Sequence, residues 1–122
     1  MAVTIIPLAL AGAIKIIRDA DCDATAENNV ADGAATIYAI TVDNTANAAI
    51  EYVKLYNSAT AITVGTTDPD VILMVPVSVV RSYIFRNSLS MSTGLSFAAV
   101  TAGGTAGTTG PTSAMIVNIV IG

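Results

Sequence analysis

The sequence predicts an all-β protein, an antiparallel β-sandwich of the jelly-roll or immunoglobulin-like type with seven or eight short strands. Three observations lead to this fold class. Ile, Val and Thr, which favour strands, make up 42 of the 122 residues. Short apolar runs, several with period-two alternation, recur between turn-forming segments. The one contender for a helix, residues 24–35, contains Glu-Asn-Asn and Asp-Gly and is predicted to be an irregular excursion.

The candidate strands follow one another at roughly even spacing. They are residues 13–18, 36–43, 50–57, 61–64, 71–75, 79–85, 95–101 and 115–121. Turn-forming residues separate them at 43–47, 57–60, 65–70, 86–94 and in the glycine-rich 102–113. We expect 43–47 to connect two strands as a hairpin, and 102–113 to form a flexible hairpin loop or an interface loop.

Alternation assigns faces to the strand at residues 50–57. Val53 and Leu55 are expected to point inward, while Tyr52, Lys54 and Tyr56 meet solvent or a neighbouring molecule. Applied to the whole chain, the pattern predicts a core containing Val53, Leu55, Ile72, Leu73, Ile84, Leu95, Phe97 and Ile119.

The composition predicts a subunit that covers part of its surface with partners. Hydrophobic residues make up 53% and charged residues 11% of the chain, against about 25% charged residues in typical globular proteins. We expect one domain at 13–122, preceded by an apolar arm at 1–12. The predicted interface residues are Ile5, Ile6 and Leu8 of the arm, together with Tyr52 and Tyr56.

Membrane and nucleic-acid partners are not expected. The longest uncharged apolar stretch near the start, residues 3–14, has 12 residues and contains a proline and a glycine, whereas a spanning helix needs about 20 residues. The five Lys and Arg residues are scattered along a chain of net charge −4, so no basic patch for phosphates is visible.

The sequence also predicts no enzymatic activity and no cofactor. Without histidine the chain cannot form a histidine-based triad, and the single cysteine, Cys22, lacks the usual base that would activate it. Asp68 and Asp70 flank a proline and are expected to form a turn. The glycine-rich segment lacks the lysine and the following helix of a phosphate-binding loop.

One acidic segment is a weak candidate for a metal site. Asp19, Asp21 and Asp23 resemble the opening of a calcium-binding loop, but the sixth position is Ala24 rather than glycine and the twelfth is Val30 rather than glutamate. We therefore expect no metal and interpret the segment as a solvated loop after the first strand.

Residues 38–121 resemble small structural proteins of tailed bacteriophages. The likeness rests on "YAITVDNTANAAIEYVKLYNSATAITVGTTDPDVILMVPV", "STGLSFAAVT" and a closing "VNIVI". It implies a β-sandwich that assembles on a virion, most specifically a capsid cement or decoration protein. Its partners would be further copies of itself, with a trimer favoured, and virion proteins such as the major capsid protein.

Two alternatives stay open. The chain could be a filament or pilus subunit whose apolar arm adds a strand to the next subunit. It could also be a receptor- or carbohydrate-binding module of a phage tail, although the absence of tryptophan disfavours sugar stacking.

Overall fold

The described part of the chain forms an all-β fold of eight strands in two sheets. The computed structural model describes residues 3–7 and 14–122. Its strands are β1 (Val3–Pro7), β2 (Lys15–Cys22), β3 (Ala35–Asp43), β4 (Glu51–Asn57), β5 (Val71–Val75), β6 (Val80–Met91), β7 (Leu95–Val100) and β8 (Met115–Ile121). The predicted all-β antiparallel sandwich is confirmed.

The two sheets differ in width. The first has five strands in the order β1-β2-β8-β3-β6, and the second has three in the order β5-β4-β7. All pairings between these strands are antiparallel. Consecutive strands change sheet from β3 to β4, from β5 to β6, from β6 to β7 and from β7 to β8. The predicted hairpin at 43–47 is therefore wrong, because this segment crosses between the sheets. The hairpin alternative for 102–113 is wrong for the same reason, and the interface loop stays a prediction.

Two further expectations about strands are corrected. Residues 61–64 do not form a strand. Strand β6 runs on through Met91, although 86–94 has the composition of a turn. Its register against β3 shifts between Ile37 and Ala39, and Ser88 has φ of 61° within the extra length of β6. A β-bulge therefore accommodates the polar residues that suggested a loop.

The core lies between the sheets and is built by alternate residues. Of the eight predicted core residues, six are buried. Ile72 and Ile84 are not, with 38% and 75% of their surface exposed. Both lie in continuous apolar runs, where the sequence shows no alternation that would indicate which side chains face the core. Leu73 of β5 and Tyr83 of β6 face the core instead, so their neighbours point outward.

The outward prediction for Lys54 and Tyr56 is also wrong. Strand β4 is buried on both faces, with Lys54 0% and Tyr56 1% exposed, while Tyr52 is half-buried. The segment between β7 and β8 lies over this outer face. Lys54 Nζ donates to the carbonyl oxygens of Thr105 at 3.2 Å and Gly107 at 3.1 Å.

The Tyr52 ring lies beneath the same segment, so closely that a Cβ on Gly103 would meet it at 3.0 Å. Lys54 therefore holds the segment between β7 and β8 over the outer face of the three-stranded sheet.

Replacing Leu55 with alanine should destabilise the protein by about 2–5 kcal/mol, because the side chain is fully buried between the sheets. Ile84→Ala should change the free energy of unfolding by less than about 0.5 kcal/mol, because that side chain is largely exposed. Urea unfolding of both variants tests the orientation of the strands. Equal losses of unfolding free energy in the two variants would contradict this orientation.

Candidate functional site

The acidic segment, which was expected to be a loop, begins within β2 at Asp19 and then pairs with the second sheet. The register between β2 and β8 shifts between Asp19 and Cys22, and the chain then crosses to the edge of β7. There Glu27 and Phe97 exchange backbone hydrogen bonds of 2.9 and 3.0 Å, and Ala99 N donates to Asp23 O at 2.8 Å. This short extension of the three-stranded sheet turns Glu27 inward.

Two of the acids are buried rather than solvated. Asp19 is 0% and Glu27 3% exposed. Asp19 Oδ1 accepts the Asp21 amide at 2.9 Å. Among the described residues, Asp19 Oδ2 and Glu27 Oε2 have no hydrogen-bond partner. The expectation that this segment is solvated is therefore wrong for the side chains of Asp19 and Glu27.

Burial and mutual repulsion dominate the electrostatics of this segment. Burial, followed by the charge of Asp19, raises the pKa of Glu27 to about 7. Burial also raises the pKa of Asp19, with Asp21 and Asp23 adding repulsion. The pKa of the Cys22 thiol lies well above its ordinary value because of burial and the nearby acids. A thiol in this state is a poor nucleophile.

A small cavity of about 80 Å³ adjoins the acids and is lined by Asp21, Asp23, Thr25 and Glu27. In the part of the chain that the structure describes, no three His, Cys, Asp or Glu side chains are arranged to hold a metal ion. The weak candidates Asp19, Asp21 and Asp23 are near one another but do not form such a group. Glu27 was missed, because its contact with β7 joins positions 70 residues apart.

A larger cavity lies at the end of the sandwich where β4 begins. It has a volume of about 350 Å³ and is lined by Ala46, Asn47, Ala48, Ala49, Glu51 and Thr112. Glu51 pairs with Val75 in the β4–β5 register, on the same face as Val53 and Leu55. Its side chain is 1% exposed, and within the described residues its Oε2 has no partner. Burial raises its pKa.

Buried asparagines fix the walls of this larger cavity. Asn47 Nδ2 donates to Asn44 Oδ1 at 2.9 Å and to Ser113 O at 2.8 Å, while Asn47 Oδ1 accepts the Ser113 amide at 2.8 Å. Asn44 Nδ2 donates to Ala49 O at 3.1 Å and to Pro76 O at 2.9 Å. Three chain segments are thus held together around Glu51.

The predicted interface residues are distributed differently. Ile5 and Ile6 lie on β1, with 48% and 40% of their surface exposed. Leu8 lies outside the described residues. Tyr52 is half-buried, and Tyr56 is buried, so Tyr56 cannot contribute an exposed contact surface in this fold. Sequence reasoning missed the exposed side chains of Met74, Val80 and others on β5 and β6.

Comparison with known proteins gives no relative. No protein-family model, no curated protein and no solved structure matches the chain. Within residues 3–7 and 14–122, no helix has the length and apolar character needed to cross a membrane.

Glu27 should make the protein less stable as pH rises from about 4.5 to 7. In this window the folded chain keeps a proton that the unfolded chain, with the ordinary pKa of 4.5, releases. Asp19, Asp21 and Asp23 face the same group and strengthen the effect. Glu27→Gln should remove most of this slope and add up to roughly 3 kcal/mol above pH 7.

Urea unfolding between pH 4.5 and 8, in buffer without divalent cations, measures this slope. Asp32→Asn is the control because Asp32 is exposed and its φ of 52° suits asparagine. Parallel slopes for the wild type and Glu27→Gln would contradict the assignment.

Proposed function

We propose that the protein is a structural subunit of a bacteriophage virion, most specifically a capsid cement or decoration protein. It would stabilise the particle through contacts between its own copies and with the major capsid protein. The observation that carries the proposal is a set of exposed apolar side chains at one edge of the sandwich. We call it the apolar ridge: Ile72, Met74, Val77, Val79, Val80 and Ile84.

The apolar ridge wraps around the edge where the two sheets meet. Ile72 and Met74 lie on the outer face of β5, whereas Val80 and Ile84 lie on the outer face of β6. The Tyr83 hydroxyl donates to the carbonyl oxygen of Met74 and joins the two strands. Clustered apolar side chains of this kind mark surfaces that bind other proteins.

The five-stranded sheet adds a second apolar feature on its outer face. One row crosses all five strands and consists of Ile6, Ile16, Val120, Ala39 and Ile84. The next outward-facing row is polar, and Arg18 of that row donates to Asn118 at 3.3 Å. An apolar row next to a polar row would allow a neighbouring subunit to bind in one defined position.

The edge strand β6 supports the same proposal. It is 12 residues long and pairs in the described structure only with β3, so its other edge is open. Long open edges promote association through backbone hydrogen bonds, and soluble proteins usually protect them. Burial against a neighbouring subunit would protect β6. We favour a trimer, by analogy with capsid decoration proteins on local three-fold axes.

Light scattering during size-exclusion chromatography should show a homo-oligomer at micromolar concentration. Ile84→Asp should shift it to monomer while leaving the circular-dichroism spectrum of the folded subunit unchanged, because Ile84 is 75% exposed in the single chain. Ile50→Asp is the matched control, since Ile50 is also an exposed isoleucine, at 43%, but lies outside the apolar ridge. A soluble wild-type monomer would refute the oligomer, whereas a dimer would refute only the trimer.

The filament alternative has one observation in its favour. Strand β1 contacts the rest of the described fold as an edge strand beside β2, with Ile5 and Ile6 substantially exposed. An edge strand near the chain start can be exchanged between copies. The carbohydrate-binding alternative has no such observation.

Deleting residues 2–12 should leave a folded β-protein that assembles less well, because β1 and its exposed isoleucines are lost. Circular dichroism checks folding, and light scattering checks assembly. Filaments in electron micrographs of the full chain, absent after the deletion, would favour the filament subunit over the capsid protein. Unchanged assembly would show that the arm has no part in it.

A further inference from the structure

The cavity beside Glu51 places one buried acidic group among small, uncharged side chains. Its floor carries a carboxylate that is 1% exposed, and among the described residues one oxygen of that carboxylate is buried without a partner. Leaving such an acceptor unsatisfied costs stability, and the cost is larger for a charged group. A ligand that donates a hydrogen bond and supplies a positive charge would remove this cost.

The walls restrict what such a ligand can be. Besides Glu51, the lining residues are three alanines, Asn47 and Thr112, and none is charged. The polar groups of Asn47 are committed to Asn44 and Ser113. The alanine methyl groups therefore offer an apolar lining above a single acidic group. A volume of about 350 Å³ is at the lower end of the range for small-ligand pockets.

We propose that this cavity binds an ammonium or guanidinium group carried on an aliphatic stem. The cationic head would donate to Glu51 Oε2, and the methylene groups would lie against Ala46, Ala48 and Ala49. Lysine and arginine side chains combine an apolar stem and a charged head in this way. The same chemistry can come from a free amine or from a basic side chain of a neighbouring copy.

The site is largely preformed. Asn44 and Asn47 are 0% and 4% exposed, and their amide groups tie the 44–49 turn to Pro76 and Ser113. Because these contacts already fix the walls, binding does not have to order the loop, which favours affinity. The inference does not depend on the proposed virion role.

Titration of the full chain with n-butylamine at pH 8 tests the site. Calorimetry measures binding, and the thermal midpoint Tm measures stabilisation. Saturating butylammonium should raise Tm by a few degrees. Neutral n-butanol of the same length should not. Glu51→Gln should abolish the butylammonium shift and should itself fold stably, because it removes a buried charge. Asp68→Asn, at an exposed acid, is the control.

Ala48→Leu gives a second variant that keeps the carboxylate but fills the cavity, and it should also abolish binding. Equal shifts with butanol, or an unchanged shift in Glu51→Gln, would overturn the proposal.

The source of the cation is tested separately. Lys15, Arg81 and Arg86 are exposed basic residues that a neighbouring copy could insert. Each is replaced with glutamine, and the fraction of oligomer is measured by light scattering. A variant that lowers this fraction as much as Glu51→Gln does identifies the inserted side chain. Amine binding with an unchanged oligomer assigns the pocket to a free ligand. Absence of amine binding refutes the site even if the oligomer forms.

Discussion

The burial of β4 and β7 on both faces is the constraint on which the rest of the structure depends. All six residues of β7 are buried, and in β4 only the side chains of Tyr52 and Asn57 are partly exposed. The inner face packs against the five-stranded sheet. Among the described strands, none forms a third sheet over the outer face, and irregular segments cover it instead. The chain between β7 and β8 does so, and the two carbonyl contacts of Lys54 Nζ hold it there.

This arrangement explains why several polar groups lie inside the fold. Lys54 is buried because the segment between β7 and β8 lies over it, and this loss of solvent lowers its pKa. Glu27 is buried because its backbone extends the sheet beside β7. Glu51 is buried because it begins a strand whose inner face is core. The lysine finds partners within the chain. The two glutamates each keep an oxygen without one among the described residues, which makes their surroundings chemically distinctive.

The unequal width of the sheets bears on the proposed assembly. A three-stranded sheet cannot cover a five-stranded one completely, so the edges of the larger sheet stay more exposed. Ile5 on β1, which shares a face with the buried Ile17, consequently contacts solvent with 48% of its surface. With 11% charged residues, the chain has few charges with which to offset this apolar surface. A role in a large assembly is consistent with this combination, since neighbouring subunits can cover both the side chains and the open backbone edges.

The sequence by itself determined the class of fold, seven of the eight described strands and much of the core, whereas β1 was expected as an arm and residues 61–64 as a strand. Strand-forming residues, regular turn signals and clean alternation, as at Val53 and Leu55, depend on local chemistry that a linear pattern records. Tertiary structure decided which strands share a sheet, and so turned two expected hairpins into crossings between sheets. It also decided the phase of continuous apolar runs, which is why Ile84 faces outward.

The same reason applies to the candidate sites. Nothing near Lys54, Glu27 or Glu51 in the sequence indicates that residues 51 to 70 positions away would help to bury them. Burial of a side chain depends on what the rest of the chain places over it, and only the folded structure contains that information.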